Sequence, residues 1–269
     1  MPAPARIFAP LLAGLIDLWA FSTEAAALSP ICSDRPGRGT GACTVEAGHW
    51  QVEMGVWDSA FQHRAGVTVD VTQAANPAVK YGLSDSADIE ASMAFYQNIR
   101  VHGAPQSQTL SGIGDLFLHA KWNPRGNDDS GFAWILEPFL KLPTASHALG
   151  NGAVEGGFLI PISWELGGHW SMESAPELDY LLNQAGSGYH GAIIDVVGLN
   201  RDIGDGFNVG LEIWTDQNFD PAGTQSQYSF GPAIAWQPDL DDQLDGGFAA
   251  GLNRATPDLE LYVGFSRRF

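Results

Sequence analysis

The chain has 269 residues, with 31 acidic against 13 basic side chains and a formal net charge of −18. That balance argues against a nucleic-acid partner, because phosphates require basic patches. Its 32 glycines exceed the roughly 7% of an average protein. With 9 Trp, 14 Phe and 6 Tyr, they point to many strands and tight turns, which a soluble β-sandwich would show as well.

In chain order, residues 1–27 are expected to be a signal peptide. Arg6 precedes the apolar run IFAPLLAGLIDLWAF, and Ala25 and Ala27 occupy small-residue cleavage positions, so the mature chain is expected to begin at Leu28. The run contains Asp17 and is short for a spanning helix. Residues 28–47 are expected to form a periplasmic segment in which Cys32 and Cys43, within ICSDRPGRGTGAC, close a disulfide loop in an oxidising compartment. At the barrel mouth, this segment could plug or gate the lumen. His49 is the nearest further metal ligand, so no metal is expected.

Residues 48–269 read as twelve extended segments: 48–58, 71–83, 87–100, 112–123, 131–143, 153–167, 170–182, 189–202, 206–217, 225–237, 246–254 and 258–269. Tight connections (SDSA, GGH, DIGD) alternate with wider ones (QHRAGVTVD, VHGAPQSQTLSG, TASHALGNG). The expected fold is therefore all-β: a transmembrane up-and-down antiparallel β-barrel of outer-membrane type with about twelve strands.

Strand alternation decides between barrel and sandwich. In 131–143, Phe132, Trp134, Leu136, Leu140 and Leu142 share one face, opposite Ala133, Ile135, Glu137, Phe139 and Lys141. In 112–122, Leu116, Leu118 and Trp122 oppose Asp115, Phe117, His119 and Lys121; in 87–100, Ile89, Ala91 and Met93 oppose Glu90, Tyr96, Asn98 and Arg100. All three lysines, Lys80, Lys121 and Lys141, lie within strands, and acids share their faces. A charge facing the lipid midplane costs about 2–4 kcal/mol, so this pattern fits polar faces turned to a lumen. Trp50, Trp57, Tyr81, Trp122, Trp164, Trp170, Trp214 and Trp236 fall near segment ends, as interfacial girdles would. Segment 189–202 fits poorly, with Asp195 among Ile193, Val197 and Leu199. The last segment, LELYVGFSRRF, ends on Phe269; outer-membrane barrels commonly end in an aromatic strand read by the barrel-assembly machinery, and Phe269 resembles that signal.

GIGDLFLHAKWNP (112–124), then EPFLKLPTASHALGNG (137–152), then a glycine-rich strand into SWELG resembles the family of outer-membrane channels associated with the meta-pathway of phenol degradation. The matching residues are Gly112, Gly114, Asp115, Lys121, Trp122, and Lys141 through Thr144. The resemblance spans most of residues 30–269 and implies a twelve-stranded barrel carrying small compounds, aromatic ones among them.

Enzyme motifs are scarce. No G-x-S-x-G or H-E-x-x-H occurs, and GIGDLF carries Phe117 where a dinucleotide fingerprint needs glycine. The acidic stretch Asp239–Asp245 lacks the alternation of a calcium loop. The function expected is a channel in the outer membrane of a Gram-negative cell for passive diffusion of small hydrophobic or aromatic solutes, with no catalysis and no cofactor. Its expected partners are outer-membrane lipid, the assembly machinery and a small-molecule solute. Lumen candidates are Lys80, Glu90, Arg100, Asp115, His119, Lys121, Glu137 and Lys141. The alternatives are a lipid-hydrolase-like barrel enzyme that uses His119, or a barrel serving adhesion or structure.

Overall fold

The computed structural model describes residues 28–103, 107–126, 131–146 and 148–269; the expected signal peptide lies outside the described residues. The strands are β1 (Trp50–Arg64), β2 (Val67–Ser84), β3 (Ala87–Ser92), β4 (Tyr96–His102), β5 (Gln108–Gly112), β6 (Leu116–Arg125), β7 (Phe132–Leu142) and β8 (Glu155–Leu159). They continue as β9 (Ile162–Gly167), β10 (Trp170–Ser174), β11 (Glu177–Leu182), β12 (Tyr189–Gly204), β13 (Phe207–Asn218), β14 (Gln225–Trp236), β15 (Asp242–Gly251) and β16 (Leu259–Arg268). β3 with β4, β5 with β6, β8 with β9, and β10 with β11 are single staves briefly interrupted, so the sheet has twelve staves. Pro161 and Pro176 sit in two of the interruptions, where a residue without an N–H cannot serve the ladder. The Ile160 N–H bridges that break to the Pro176 carbonyl at 2.9 Å.

All pairings are antiparallel, and β1 joins β2 on one side and β16 on the other. The final residue takes part in closure: Phe269 donates its N–H to the Trp50 carbonyl at 2.7 Å, and Trp50 donates back at 3.2 Å. Lipid leaves no water for unpaired backbone groups, so a closed sheet is the form a membrane strand must take.

Burial is inverted relative to a soluble protein. Gln51, Glu53, Lys80, Asp88, Lys121 and Glu137 are buried, whereas Leu199, Leu211, Ile213, Ile234 and Val263 are exposed. This excludes the sandwich and follows the alternation of 112–122 and 131–143. On the outside of β13 and β14, the paired rows Phe207/Trp236, Val209/Ile234, Leu211/Pro232 and Ile213/Phe230 are apolar; Thr215/Tyr228 and Gln217/Ser226 follow. From Phe207 to Thr215 the strand climbs about 20 Å at its usual rise and tilt, most of the roughly 25 Å apolar band of an outer-membrane barrel. Asp195 pairs with Thr215, so it sits at the upper edge of this band and accepts a hydrogen bond from the Ser174 hydroxyl at 3.1 Å. That explains the poor alternation of segment 189–202: β12 outreaches the bilayer.

Across the barrel, the strands change phase at similar height. β1 slips register between Gly55 and Trp57, Ala75 of β2 has φ 49, and residues 93–95 and 113–115 interrupt the next two staves. An extra residue turns every later side chain to the other face. Gln73 and Gln97 are cross-strand partners that face the lumen. By alternation, Val71/Ile99 and Val69/Val101 point inward and Thr72/Asn98 and Asp70/Arg100 point outward. Arg100 is therefore not a lumen residue; continuing the lower alternation through the break assigned it to the wrong face. Two further expectations are corrected. QHRAGVTVD is not a wide connection but strand on both sides of a turn at Ala65 and Gly66, both with positive φ. Trp214 does not belong to a girdle: it faces inward, beneath Arg38.

This arrangement makes a differential prediction for the protein refolded into lipid vesicles and unfolded with urea. Leu211→Arg, in the middle of the apolar band, should destabilise the barrel by about 2–4 kcal/mol. His102→Arg, outward, exposed and above the phase change, should leave the stability within about 0.5 kcal/mol of the parent; equal costs at both positions would contradict the assigned bilayer height.

Candidate functional site

The chain ahead of β1 runs inside the barrel. Ile31 and Val45 are buried there, and Cys32 is bonded to Cys43. This irregular segment has few partners for its own backbone, and lumen side chains supply them. Gln51 donates to the Cys32 carbonyl at 2.9 Å, Gln243 to the Arg35 carbonyl at 2.7 Å, Gln237 to the Ile31 carbonyl at 3.0 Å and Asn123 to the Ala42 carbonyl at 3.2 Å. In return the Val45 N–H donates to Asp88 at 2.8 Å. Gly37, at φ 90, lies so near Glu212 that a β-carbon would reach to 2.0 Å from its Oε1; glycine is the side chain that fits.

Three charged residues of this segment fasten it to the wall. Asp34 lies between Lys80 and Lys121: it pairs with Lys80, which also pairs with Glu53, and its oxygens are 2.6 and 2.7 Å from Lys121 Nζ. Burial alone would raise the Asp34 carboxyl, but Lys121 and Lys80 outweigh it and hold it well below the usual carboxylate range. Arg35 makes a two-point contact with Asp245, at 2.8 and 3.1 Å. Arg38 pairs with Glu260, and its guanidinium lies 4.3 Å from the Trp214 ring centroid. Removing one partner from such a buried set leaves the others uncompensated, a cost of about 3–5 kcal/mol.

Seven of the eight lumen candidates face inward, in two groups. Lys80, Glu90, His119, Lys121 and Glu137 form one: Glu90 is 3.7 Å from Lys80, Glu137 is 3.8 Å from Lys121, and His119 Nδ1 is 2.8 Å from Glu137. Lys141 forms the other with Asp115 at 3.3 Å and Glu155 at 2.6 Å. None of the three lysines is a free positive lining, because each is engaged by carboxylates. Sequence reasoning missed Asp34, Arg35 and Arg38, which hold the segment in place. The available signal was charge inside the cysteine loop SDRPGR, in a chain with few bases. Among the described residues, no cluster has the geometry to hold a metal ion.

Asp34 touches two cavities that the segment separates. The upper, of about 620 Å³, is lined by Gln73, Asn76, Met93, Gln97, Phe117, His119 and Leu149, with Asp34, Arg38 and Thr40 on the plug side. His119 stacks on Phe139 at 5.4 Å, and Phe117 and Phe139 are 6.4 Å apart. The lower, of about 390 Å³, opens beside the turn at 205–206 and is lined by Glu173, Asn200, Asn208 and Glu212.

A profile of the family described as "Putative MetA-pathway of phenol degradation" matches residues 33–269. Among solved structures, the NanC porin is similar with a TM-score of 0.50 at 9% identity, over 81% of this chain and 98% of that one. The translocator domain of autotransporter NalP from Neisseria meningitidis gives 0.51 at 10% identity, over 84% and 90%. The CymD monoaromatic hydrocarbon channel gives 0.44 at 9% identity, over 84% and 89%. At these identities the first two show a shared fold. A search of curated proteins found no match.

The latch can be tested by trypsin, which needs access to the peptide bond after Arg38. In Asp34→Asn, cleavage there should speed up by at least about tenfold with the barrel still folded; an unchanged rate would show that Asp34 does not hold the segment. The pH dependence has a definite sign. A carboxyl held below its ordinary 3.8 contributes stability in full above that value and loses it as pH falls toward the folded-state value. Resistance to an acid-active protease should therefore be flat from pH 7 to about 5 and decline below about 4.

Proposed function

The chain belongs to the family of the MetA pathway of phenol degradation, and from that premise we propose that it is an outer-membrane channel admitting small hydrophobic or aromatic solutes by passive diffusion. The supporting observation is the phase change of the strands. Above it, Val69, Val71, Ile99, Val101 and Leu110 turn inward, so the extracellular entrance has an apolar inner wall on the β2–β5 side. That wall leads to the upper cavity with Met93, Phe117 and Leu149. An apolar solute gains about 25 cal/mol for each Å² removed from water, enough to be drawn in weakly and released again, as conduction requires.

Passage is by displacement of the plug, since the plug residues Asp34, Arg38 and Thr40 bound the cavity. No covalent step is needed. For the hydrolase alternative, His119 would have to activate a nucleophile. Among the described residues, its hydrogen bond goes to Glu137, and no hydroxyl is bonded to its ring.

Uptake of benzyl alcohol into vesicles with a lipopolysaccharide outer leaflet tests the reading, because that leaflet slows direct permeation. The protein should raise the initial rate several-fold, and Val71→Asp with Ile99→Asp should remove most of the gain by wetting the entrance. Folded protein that leaves uptake unchanged would defeat the transport reading.

A further inference from the structure

The lumen wall facing away from the lysines is acidic. On β12, Gly198 is in register with Glu173 on one side and Glu212 on the other; four residues earlier, Ile194 is in register with Glu177 and Asp216. Glu173 and Glu212 line the lower cavity, so alternation places the second pair inside as well. The two carboxylate rungs are about 13 Å apart along the strand. Asp179 follows one rung above, 8% exposed, with an oxygen that has no hydrogen-bond partner. From β8 to β13 no lysine or arginine of the wall points inward except Lys141's reach to Glu155 from β7. The plug brings a guanidinium to these rungs: the Arg38 main-chain N–H donates to Glu212 at 3.1 Å, and its guanidinium, which also pairs with Glu260, lies over Trp214 while its buried Nε has no partner; Arg35, which lines the lower cavity too, is held by Asp245.

We propose that the carboxylate rungs of β10, β11 and β13 form a cation pathway, which the Arg38 side chain occupies at rest and vacates when the plug moves. The inference rests on the channel reading and adds the charge preference of the solute. Five carboxylates beside one guanidinium, which Glu260 also engages, are not a neutralised network. A low-dielectric wall of one sign concentrates counter-ions beside it, and successive rungs give a cation several weak sites to step between. Trp214 supplies the aromatic face that suits guanidinium and ammonium groups. Lys80 and Lys121, engaged by Glu53, Glu90 and Glu137 as well as Asp34, do not offset this field. Neutral and cationic solutes should pass, and anions such as benzoate should be excluded.

The test is the reversal potential of the full-length protein in planar bilayers under a KCl gradient, for the parent, Arg38→Ala, and Glu177→Gln with Asp216→Asn. The parent should pass K⁺ over Cl⁻ by about tenfold, and Arg38→Ala should conduct several-fold more with the preference kept. The double variant should still conduct but lose most of the preference. Conductance that is unselective or anion-selective in the parent and Arg38→Ala would overturn the cation pathway alone. Silence of all three, with the barrel folded, would overturn the channel reading beneath it.

Discussion

Asp34 between two buried lysines is the contact on which the interior depends. An ammonium group withdrawn from water must find an anion or lose its charge, and both Lys80 and Lys121 are almost wholly buried. The need arises from the membrane. A closed sheet in lipid must turn apolar side chains outward, so the charged residues at bilayer height are driven into one narrow lumen. The segment carrying Asp34, Arg35 and Arg38 converts that crowding into a packed plug, with lumen amides satisfying its backbone.

The same logic explains why the strands do not keep one alternation from end to end. Where the outer surroundings change from lipid to water, the favourable face changes too. The slip at Gly55, the left-handed Ala75 and the breaks at 93–95 and 113–115 make that change together. On the β1–β6 side the result is a wall that is inside-out within the bilayer and right-side-out above it, with an apolar face to the entrance as the by-product. The proposed transport of apolar solutes thus rests on where the pleat slips.

The fold was largely legible in the sequence because period two, aromatic strand ends and the position of the lysines all report one constraint. Boundaries were good where staves end at tight turns, such as Asp85 and Ser86 between β2 and β3. They failed at Ala65–Gly66, where a two-residue turn lay in a stretch polar enough to resemble a loop. Arg100 was misplaced because a bulge leaves no mark in composition; Ala75 at positive φ looks like any alanine. The lysines were identified as inward, but their partner was not, since Asp34 is far from them in sequence and pairs only through tertiary structure. Asp195 was visible as an anomaly, and the height of the bilayer explained it.

Amide hydrogen exchange on the folded full-length protein tests the plugged lumen most directly. The Ile31 N–H donates to the Leu240 carbonyl in the β14–β15 turn, and the Arg38 and Val45 N–H groups donate to Glu212 and Asp88 on the lumen wall. They should be protected at neutral pH to a degree approaching that of the strand amides around them. Exchange of residues 31–45 at the rate of an unstructured peptide, beside protected strands, would show an open barrel and contradict the account.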